Sequence, residues 1–335
     1  MSLIPKLRTE TLSGPGPGRQ AFERAFAGVL IIDKPAGMTS LDVTRRLKGR
    51  LGPLRMGHAG TLDPLATGVL PVCMGEATKL IDYMDLQWKH YRGCLQLGLE
   101  TESWDVTGRI VAERPVPVLP TERLREVFRK FEGSQRQRPP AFSAVKVKGR
   151  PLYSYARKGV HVDPPARDVF VRSFDLLERR GEWLDFDLVC SRGTYVRSIV
   201  HGLGERLGCG ACLSMLRRTR SGRFCLGDAV RLEQAEAEID QGRLRNRLLS
   251  PEDVLSHLEP LEVRKESERK AWNGNPMETA DLLPSALELA VLEGRRVRIQ
   301  VDGAVIGVGE VRSGAQGVFL QPLRLLRSQV PDRAA

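Results

Sequence analysis

The first regular pattern in the chain is a continuous apolar run that leads into an amphipathic segment. Residues Gly28–Asp33 (GVLIID) are mostly apolar without alternation, which predicts a buried β-strand. Thr39 and Asp42 then have the spacing of a helix capping box. The pattern therefore predicts a strand, a short turn and a helix that runs to about Leu51, where Gly52 and a proline end it.

Two later segments, Lys89–Leu97 and Leu184–Cys190, alternate between apolar and polar residues and are predicted strands with one buried face. Apolar residues at steps of three and four over Val196–Leu207 predict a helix that packs on the sheet. Glycine and proline recur so often over Arg55–Lys79 that we expect a structured loop there, without a long regular element.

The last third of the chain changes to short β patterns after a charged helical segment near residues 232–249. Alternation over residues 297–301 leads into Asp302-Gly303, which is typical of a two-residue hairpin turn. A length of 335 residues suits about two domains. We therefore expect a flexible arm over residues 1–27, an α+β domain over residues 28–250 and a small β domain over residues 251–335.

Composition excludes several classes of protein. The apolar runs are far shorter than the ~20 residues that a membrane span requires, and the charged N-terminus has no signal-peptide core. Six scattered cysteines suit a reducing compartment. The CxxC at Cys209 and Cys212 lacks a matching second pair, so no metal site is expected. We expect a cytoplasmic protein that binds neither a membrane nor a metal.

The net charge makes a polyanion the leading candidate for the partner. Lysine and arginine total 52 against 41 acidic residues, for a net charge of +11. Residues 123–172 hold 13 basic and 4 acidic residues, whereas residues 251–335 hold 11 basic and 13 acidic ones. Composition alone favours a solvated face over a phosphate-binding surface. A nucleotide cofactor is not indicated, because Gly202-Leu203-Gly204 lacks the third glycine of a dinucleotide motif and no P-loop motif occurs.

The densest candidate for chemistry is the segment Gly57–Pro64 (GHAGTLDP). A carboxylate at Asp63, in a glycine-rich loop whose backbone can approach a ligand closely, suits a nucleophile or a general base. The alternative is structural: an Asp before a Pro often forms an Asx-turn, and the residues alone favour that interpretation. His58, taken alone, is likewise more often structural than functional.

Two further clusters carry aromatic or basic side chains. If the strand that begins at Leu184 stays extended through Arg197, then Tyr195 and Arg197 lie on the same face, where a ring and a guanidinium can meet at one site. The residues alone favour the structural interpretation, an edge tyrosine beside a surface arginine. Residues 217–223 hold four arginines, a density that suits phosphate contacts, with a solvated basic turn as the alternative.

Five segments in sequence resemble the TruB-type pseudouridine synthases: GVLIIDKPAGMTS, GHAGTLDPLATGVLPVCMGEATK, KHYRGCLQLG, PPAFSAVKVKGRPLYSYARKG and CSRGTYVRSIVHGLGERLGCGACLSMLRR. The resemblance runs from about Gly28 to Val230. It implies the α+β pseudouridine synthase fold, with a mixed, largely antiparallel sheet flanked by helices and a small C-terminal PUA-like barrel. It also implies isomerisation of the T-loop uridine at position 55 of transfer RNA to pseudouridine, without a cofactor.

Carried over by position, the resemblance makes Asp63 the catalytic carboxylate, Arg197 the guanidinium that pairs with it and Tyr91 the ring that stacks on the target base and a candidate for proton transfer. The implied substrate-binding residues are His58, Tyr195, Leu216, Lys34 and Lys79. Base flipping is implied as well, because a stacked base hides its glycosidic bond. The chain departs from the usual family pattern at Trp104, Phe142 and Gly202.

The implied partner is the T-arm of transfer RNA, gripped by a basic insertion over residues 120–172, and we expect the chain to act as a monomer. Two alternatives share many of these features: a guide-RNA-dependent synthase of the dyskerin type, and a tRNA-binding or tRNA-folding protein with incidental activity. The long insertion and the bacterial-like tail favour an enzyme that acts alone. The complete set of Asp63, Tyr91 and Arg197 favours an active one.

Overall fold

The computed structural model describes residues 27–160, 162–315 and 317–326, so nearly all of the predicted N-terminal arm lies outside the described residues. The elements up to residue 137 are β1 (Gly28–Lys34), α1 (Ser40–Leu51), β2 (Met56–His58), β3 (Thr67–Met74), a 3₁₀ helix (Gly75–Tyr83), β4 (Trp88–Leu97), β5 (Leu99–Thr101), β6 (Ile110–Glu113), α2 (Thr121–Arg129) and β7 (Gly133–Gln137).

The middle of the chain adds β8 (Lys146–Val147), β9 (Arg150–Pro151), α3 (Leu152–Ala156), β10 (Arg167–Arg180), β11 (Trp183–Ser191), α4 (Val196–Leu207), β12 (Ala211–Ser221), β13 (Phe224–Cys225), β14 (Val230–Arg231) and α5 (Leu232–Asp240). The C-terminal part adds α6 (Pro251–Val254), β15 (Glu259–Glu262), α7 (Glu268–Trp272), β16 (Met277–Glu278), α8 (Ala286–Val291), β17 (Arg296–Val301), β18 (Ala304–Gly314) and β19 (Gly317–Leu325).

The main sheet has the strand order β14-β1-β3-β12-β4-β11-β10-β7, with β2 paired to β3 and β13 paired to β12. The β1–β14 and β3–β12 pairs are parallel and the other described pairs in this sheet are antiparallel. A second sheet has the order β15-β17-β18-β19-β16. These sheets confirm the predicted α+β class with a largely antiparallel main sheet, and the second sheet is consistent with a PUA-like domain.

Helices pack on one face of the main sheet and bury their apolar stripes there. The main core joins Leu47 of α1, Phe128 of α2 and Leu203 of α4 to sheet residues such as Phe174 and Phe186. The rings of Phe128 and Phe174 stack with centroids 4.3 Å apart. Within the ranges that the structure describes, no helix is long and apolar enough to cross a membrane.

Local sequence patterns predicted several elements correctly. Helix α1 begins with the predicted capping box, because the Thr39 side chain accepts from Asp42 N at 3.1 Å while the Asp42 carboxylate accepts from Thr39 N. The strand pattern at Gly28–Asp33 corresponds to β1, which extends through Lys34. The predicted hairpin turn lies between β17 and β18, where Asp302 has a φ of 48°.

The prediction of a loop without a long regular element over Arg55–Lys79 was wrong, because the segment forms β2, β3 and the start of the 3₁₀ helix, and β3 pairs with β1 from Gly68 to Met74. Gly68 in β3 has a φ of +101°, and a β-carbon there would lie 2.2 Å from Arg218 O. Pro71 has no N–H to donate, and β3 tolerates it because no strand other than β1 pairs with β3 at that point. The carbonyl of Pro71 faces away from β1 and accepts from Ala59 N at 2.9 Å. Since the N–H and C=O of a strand residue point to the same side, the missing N–H also faces away from β1, in the gap between the parts of β3 that pair with β12 and with β2.

The glycines of Gly202-Leu203-Gly204 serve packing in α4. A β-carbon on Gly204 would lie 2.1 Å from Ala211 N, whereas one on Gly202 would lie 3.3 Å from a ring carbon of Phe131. Helix α4 therefore approaches the start of β12 so closely at Gly204 that only a glycine fits.

We predict that Gly204→Ala lowers the free energy of unfolding by about 1–3 kcal/mol, because overpacking must push α4 away from β12. Gly202→Ala is the matched control in the same helix. Its change should stay below about 1 kcal/mol, since the helix-propensity gain of alanine offsets a small shift of the Phe131 ring. Urea unfolding of the two variants would check this, and equal midpoints would contradict the packing argument.

Candidate active site

A pocket of about 1060 Å³ opens where β2, β4, β12 and the start of α4 meet. Residues of the basic insertion over residues 120–172, called the basic segment below, line one side of it. Six of the eight residues predicted for the site line this pocket, namely His58, Asp63, Tyr91, Tyr195, Arg197 and Leu216. Segments more than 130 residues apart in the sequence thus converge on one cavity, as in the contact between Asp63 and Arg197.

The loop that carries Asp63 is held from the side of α1. Leu62 N donates to Ser40 Oγ at 2.9 Å, and Ser40 Oγ donates to Leu62 O at 3.2 Å. Gly37 N donates to Pro64 O at 2.8 Å. These contacts fix the backbone on both sides of Asp63, so that its carboxylate has a defined direction into the pocket.

The Asp63 carboxylate is held by Arg197. Its Oδ2 accepts from Arg197 Nε at 2.9 Å and lies 2.9 Å from Nη2. Among the described residues no hydrogen bond is made to Oδ1, and the Asp63 side chain is 35% exposed, whereas the Arg197 side chain is 4% exposed. The carboxylate contacts Arg197 and does not close an Asx-turn, and one of its oxygens is available to a molecule in the pocket.

The remaining Arg197 donors are satisfied by the protein. Nη1 donates to Ser103 O at 2.9 Å and lies 3.6 Å from Asp105 Oδ2, while Nη2 donates to Phe142 O at 3.0 Å. A guanidinium has five N–H donors in a fixed plane, so these partners define its position tightly.

Burial raises the pKa of the Asp63 carboxyl, and attraction to the Arg197 guanidinium is the main influence that opposes this rise. The neighbouring Asp105 carboxylate adds to the rise, and Lys34 opposes it. Arg197 is therefore the group on which the ionised form of Asp63 depends most.

The extended conformation that was considered for Leu184 through Arg197 does not occur, and the predicted helix over Val196–Leu207 is confirmed. Strand β11 ends at Ser191 and α4 begins at Val196, so Arg197 reaches Asp63 from the first turn of a helix. Tyr195 is the residue before that helix and is extended, with φ −96° and ψ 109°. The Gln137 side-chain amide binds the backbone of Tyr195 twice: its oxygen accepts from Tyr195 N at 2.7 Å, and its nitrogen donates to Tyr195 O at 3.1 Å. Glycine at position 193, with a φ of +86°, allows the turn between the two elements.

Tyr91, Leu216 and His58 form an apolar and neutral part of the pocket wall. Tyr91 and Leu216 are 7% and 5% exposed. Burial raises the pKa of the Tyr91 phenol, so the ring carries its proton at neutral pH. Burial and the charge of Arg218 lower the pKa of His58, which favours the uncharged imidazole.

Lys34 and Lys79 were predicted to bind substrate, and the structure places both outside the pocket lining. Lys34 is 0% exposed, and its ammonium donates to Pro35 O at 2.8 Å and Met38 O at 2.6 Å. It supports the turn before α1, and burial lowers its pKa to about 8. Lys79 pairs with Glu76 and donates to Leu325 O at 3.2 Å, so it joins the 3₁₀ helix to the C-terminal sheet.

The arginines at 217–223 were predicted to contact phosphate or to form a solvated turn, and three of them are held by the protein instead. Arg218 is 1% exposed and donates to Val69 O and Gly60 O, both at 2.8 Å. Arg217 pairs with Asp33 at 2.8 Å, and Arg223 donates to the carbonyl of Asp253. The buried Arg218 is therefore a structural residue, whereas Arg223 stays exposed at the surface.

Sequence reasoning gave no role to several residues at this site, namely Lys89, Ser103, Asp105 and Gln137. Lys89 lines the pocket, donates to Ser221 Oγ at 2.5 Å, and burial lowers its pKa to about 7. Asp105 Oδ1 accepts from Thr107 N at 3.0 Å and from Ser103 Oγ at 2.9 Å. A dense run of hydroxyl residues around one aspartate, Thr101 to Thr107, is the signal that could have identified this turn.

Comparisons with known proteins agree with this architecture. The family model described as "TruB family pseudouridylate synthase (N terminal domain)" matches residues 48–196, and "tRNA pseudouridylate synthase B C-terminal domain" matches residues 197–256. A relative from Syntrophus aciditrophicus is 46% identical over 74% of this chain and 79% of its own. One from Geobacter sulfurreducens is 41% identical over 90% of this chain and 98% of its own. Both are named tRNA pseudouridine synthase B.

Solved structures show the same fold. A chain from a Cbf5–Nop10–Gar1 complex matches with a TM-score of 0.68 and 25% identity, over 95% of this chain and 91% of that one. A chain from an H/ACA RNP bound to a substrate RNA containing 2′-deoxyuridine matches with a TM-score of 0.68 and 23% identity, over 93% of this chain and 87% of that one. Family models, relatives and fold agree, and the chain belongs to the TruB family of pseudouridylate synthases.

Proposed function

We propose that this chain is a stand-alone tRNA pseudouridine synthase that isomerises the T-loop uridine at position 55, with Asp63 as its nucleophile. The observation that carries the proposal is the asymmetric carboxylate: Oδ2 of Asp63 is held by the buried Arg197, while the side chain is 35% exposed toward the pocket. The relatives are named tRNA pseudouridine synthase B, which supports transfer RNA as the substrate class.

The reaction breaks the C–N glycosidic bond of uridine, turns the uracil and rejoins it to the sugar through carbon 5. Asp63 adds either to the anomeric carbon or to the ring and later leaves, so the carboxylate is regenerated. Carbon 5 loses its proton to an acceptor, the ring nitrogen N1 that was freed from the sugar takes up a proton, and no electrons are gained or lost overall. The protein therefore has to supply a nucleophile, a proton acceptor and a closed pocket.

The pocket wall suits a base that has been turned out of its stack. The Tyr91 ring and the Leu216 side chain offer flat, apolar contact to uracil, and we assign them to packing the base. The raised pKa of Tyr91 argues against a phenolate as the ground-state proton acceptor. We assign His58 and Tyr195, which also line the pocket, to holding the extruded nucleotide.

The basic segment is the proposed contact for the T-arm. Lys146 and Arg157 line the pocket from this segment, and Arg45 and Arg192 line it from other elements. We propose that residues 28–250 form the catalytic domain and residues 251–335 an accessory domain, in a chain that acts as a monomer. A transfer RNA substrate would place that activity in the cytoplasm.

The decisive experiment is tritium release from a transfer RNA transcript labelled at carbon 5 of uridine, without added guide RNA. We predict that Asp63→Asn lowers the single-turnover rate by at least about a thousandfold, because the amide is not a nucleophile. Asp175→Asn, on an exposed position of β10, is the matched control and should match the unaltered protein. Equal rates for Asp63→Asn and the control would remove Asp63 from the mechanism, and release that requires a guide RNA would favour the dyskerin-type alternative.

The Asp63–Arg197 contact predicts a shift in pH dependence. Activity needs the carboxylate, so it falls as pH decreases through the pKa of Asp63, which burial raises and Arg197 lowers. Arg197→Lys loses the paired contact, so the acid limb of the rate at saturating tRNA should move to higher pH. Single-turnover rates measured across pH for both proteins check this, and a limb at unchanged pH would show that Arg197 does not set the ionisation of Asp63.

Salt dependence tests the role of the basic segment separately from catalysis. Lys146 is exposed at the pocket edge, and we predict that Lys146→Gln weakens tRNA binding and reduces the slope of log K against log salt by about 1. Lys265→Gln, an exposed position in the C-terminal part, is the matched control and should leave the slope unchanged. Filter binding at several salt concentrations gives both slopes, and equal slopes for the two variants would argue against this contact.

A further inference from the structure

Trp104 stands in a backbone conformation that its residue type rarely adopts. Its φ is 62°, in the left-handed region that favours glycine, within the turn between β5 and β6. A large residue in this region indicates that the surrounding contacts fix the backbone. Two backbone hydrogen bonds do so here, from Trp104 N to Thr101 O at 3.1 Å and from Leu213 N to Trp104 O at 3.0 Å.

The Trp104 ring lies flat against a residue of α4. The rings of Trp104 and His201 have centroids 4.3 Å apart and planes 7° apart. His201 Nδ1 is buried without a hydrogen-bond partner in the described part of the chain, and it lies 3.9 Å from a Glu100 oxygen. The other ring nitrogen, Nε2, lies 3.7 Å from a Glu205 oxygen. Since neither carboxylate is at hydrogen-bonding distance, we take the ring stack as the contact that defines the His201 orientation.

This stack joins the same two segments that meet at Arg197. His201 is four residues after Arg197, so both side chains lie on one face of α4. The two neighbours of Trp104 in the chain both contact Arg197. Ser103 O accepts from Arg197 Nη1 at 2.9 Å, and Asp105 Oδ2 lies 3.6 Å from the same nitrogen. A shift of the turn relative to α4 would therefore move two partners of Arg197 at once.

We propose that the Trp104–His201 stack locks the 103–105 turn to α4 and thereby positions Arg197 against Asp63. Trp104 is thus a positioning residue, since it acts through Arg197 and does not line the pocket. The inference rests on the proposed role of Asp63, and it adds to the site a residue that lies outside the pocket lining.

The first test measures the carboxylate directly and needs no tRNA. The pKa of Asp63 is followed by carbon-13 NMR on aspartate-labelled protein, with Asp63→Asn to assign the signal. A displaced Arg197 stabilises the carboxylate less, so Trp104→Ala should raise the pKa of Asp63. Trp104→Phe keeps a ring at this position and should have the same Asp63 pKa as the unaltered protein. Trp183→Ala, a half-exposed tryptophan at the start of β11, is the matched control. An unchanged Asp63 pKa in Trp104→Ala would overturn the proposal, whatever the substrate of the enzyme is.

The second test uses the single-turnover rate of tritium release from tRNA. A catalytic group displaced by about 1 Å can lose about a hundredfold in rate, so Trp104→Ala should lose at least about tenfold in rate with unchanged tRNA affinity. Trp104→Gly suits the positive φ but has no ring, so it should behave like Trp104→Ala. A glycine variant with the unaltered rate would show that the ring is dispensable and would overturn the proposal.

A double-mutant cycle separates the stack from general destabilisation. If Trp104 and His201 act as one unit, the combined Trp104→Ala and His201→Ala variant should be no slower than the slower single variant. His201→Phe retains a ring for stacking and should recover most of the rate. Additive losses in the cycle would mean that the two rings act independently, against the proposal. If the unaltered protein is inactive, the proposed function is contradicted. The Asp63 pKa measured by NMR would still decide whether the Trp104–His201 stack positions Arg197.

Discussion

The contact between Asp63 and Arg197 is the constraint around which the catalytic part of this protein is built. A guanidinium that is 4% exposed must have its donors satisfied, because an unpaired buried charge is strongly destabilising. The chain meets this requirement with Asp63 itself, the carbonyls of Ser103 and Phe142, and the nearby Asp105 carboxylate. Three separate segments are thereby fixed relative to the start of α4, and the geometry of the pocket follows from that requirement.

Two further buried cations hold the loop that presents Asp63. Arg218 donates to Gly60 O at 2.8 Å on one side of the loop, and the Lys34 ammonium lies 3.4 Å from Pro64 O on the other. Both ions donate mainly to backbone carbonyls. The Lys34 charge also lowers the pKa of Asp63, so this lysine favours the ionised carboxylate on the loop that it holds.

The sequence predicted what depends on neighbours in the chain and missed what depends on distant ones. Period-two alternation and the capping box identify β4, β11 and α1 because each is a local property. Strand β3 was missed because Gly68 and Pro71 are exceptions that only the approach of Arg218 and the gap between β2 and β12 explain. In the same way, nothing in the sequence distinguishes Arg218 and Lys34 from surface residues. Only the tertiary structure shows that both are buried and that backbone carbonyls accept their hydrogen bonds.

The family resemblance identified the residues near Asp63, whereas the structure shows which cations are buried beside it and which are exposed to solvent. An RNA substrate brings many phosphates, each of which competes for any accessible guanidinium. Arg197 is protected from this competition because it is buried and its donors already have fixed partners. Exposed cations such as Lys146 are free to meet phosphate instead. If Asp63 is the nucleophile, as proposed, entry of a base would dehydrate its carboxyl further and raise the pKa of that group. A buried arginine that RNA cannot draw away would then keep the carboxylate ionised in the complex.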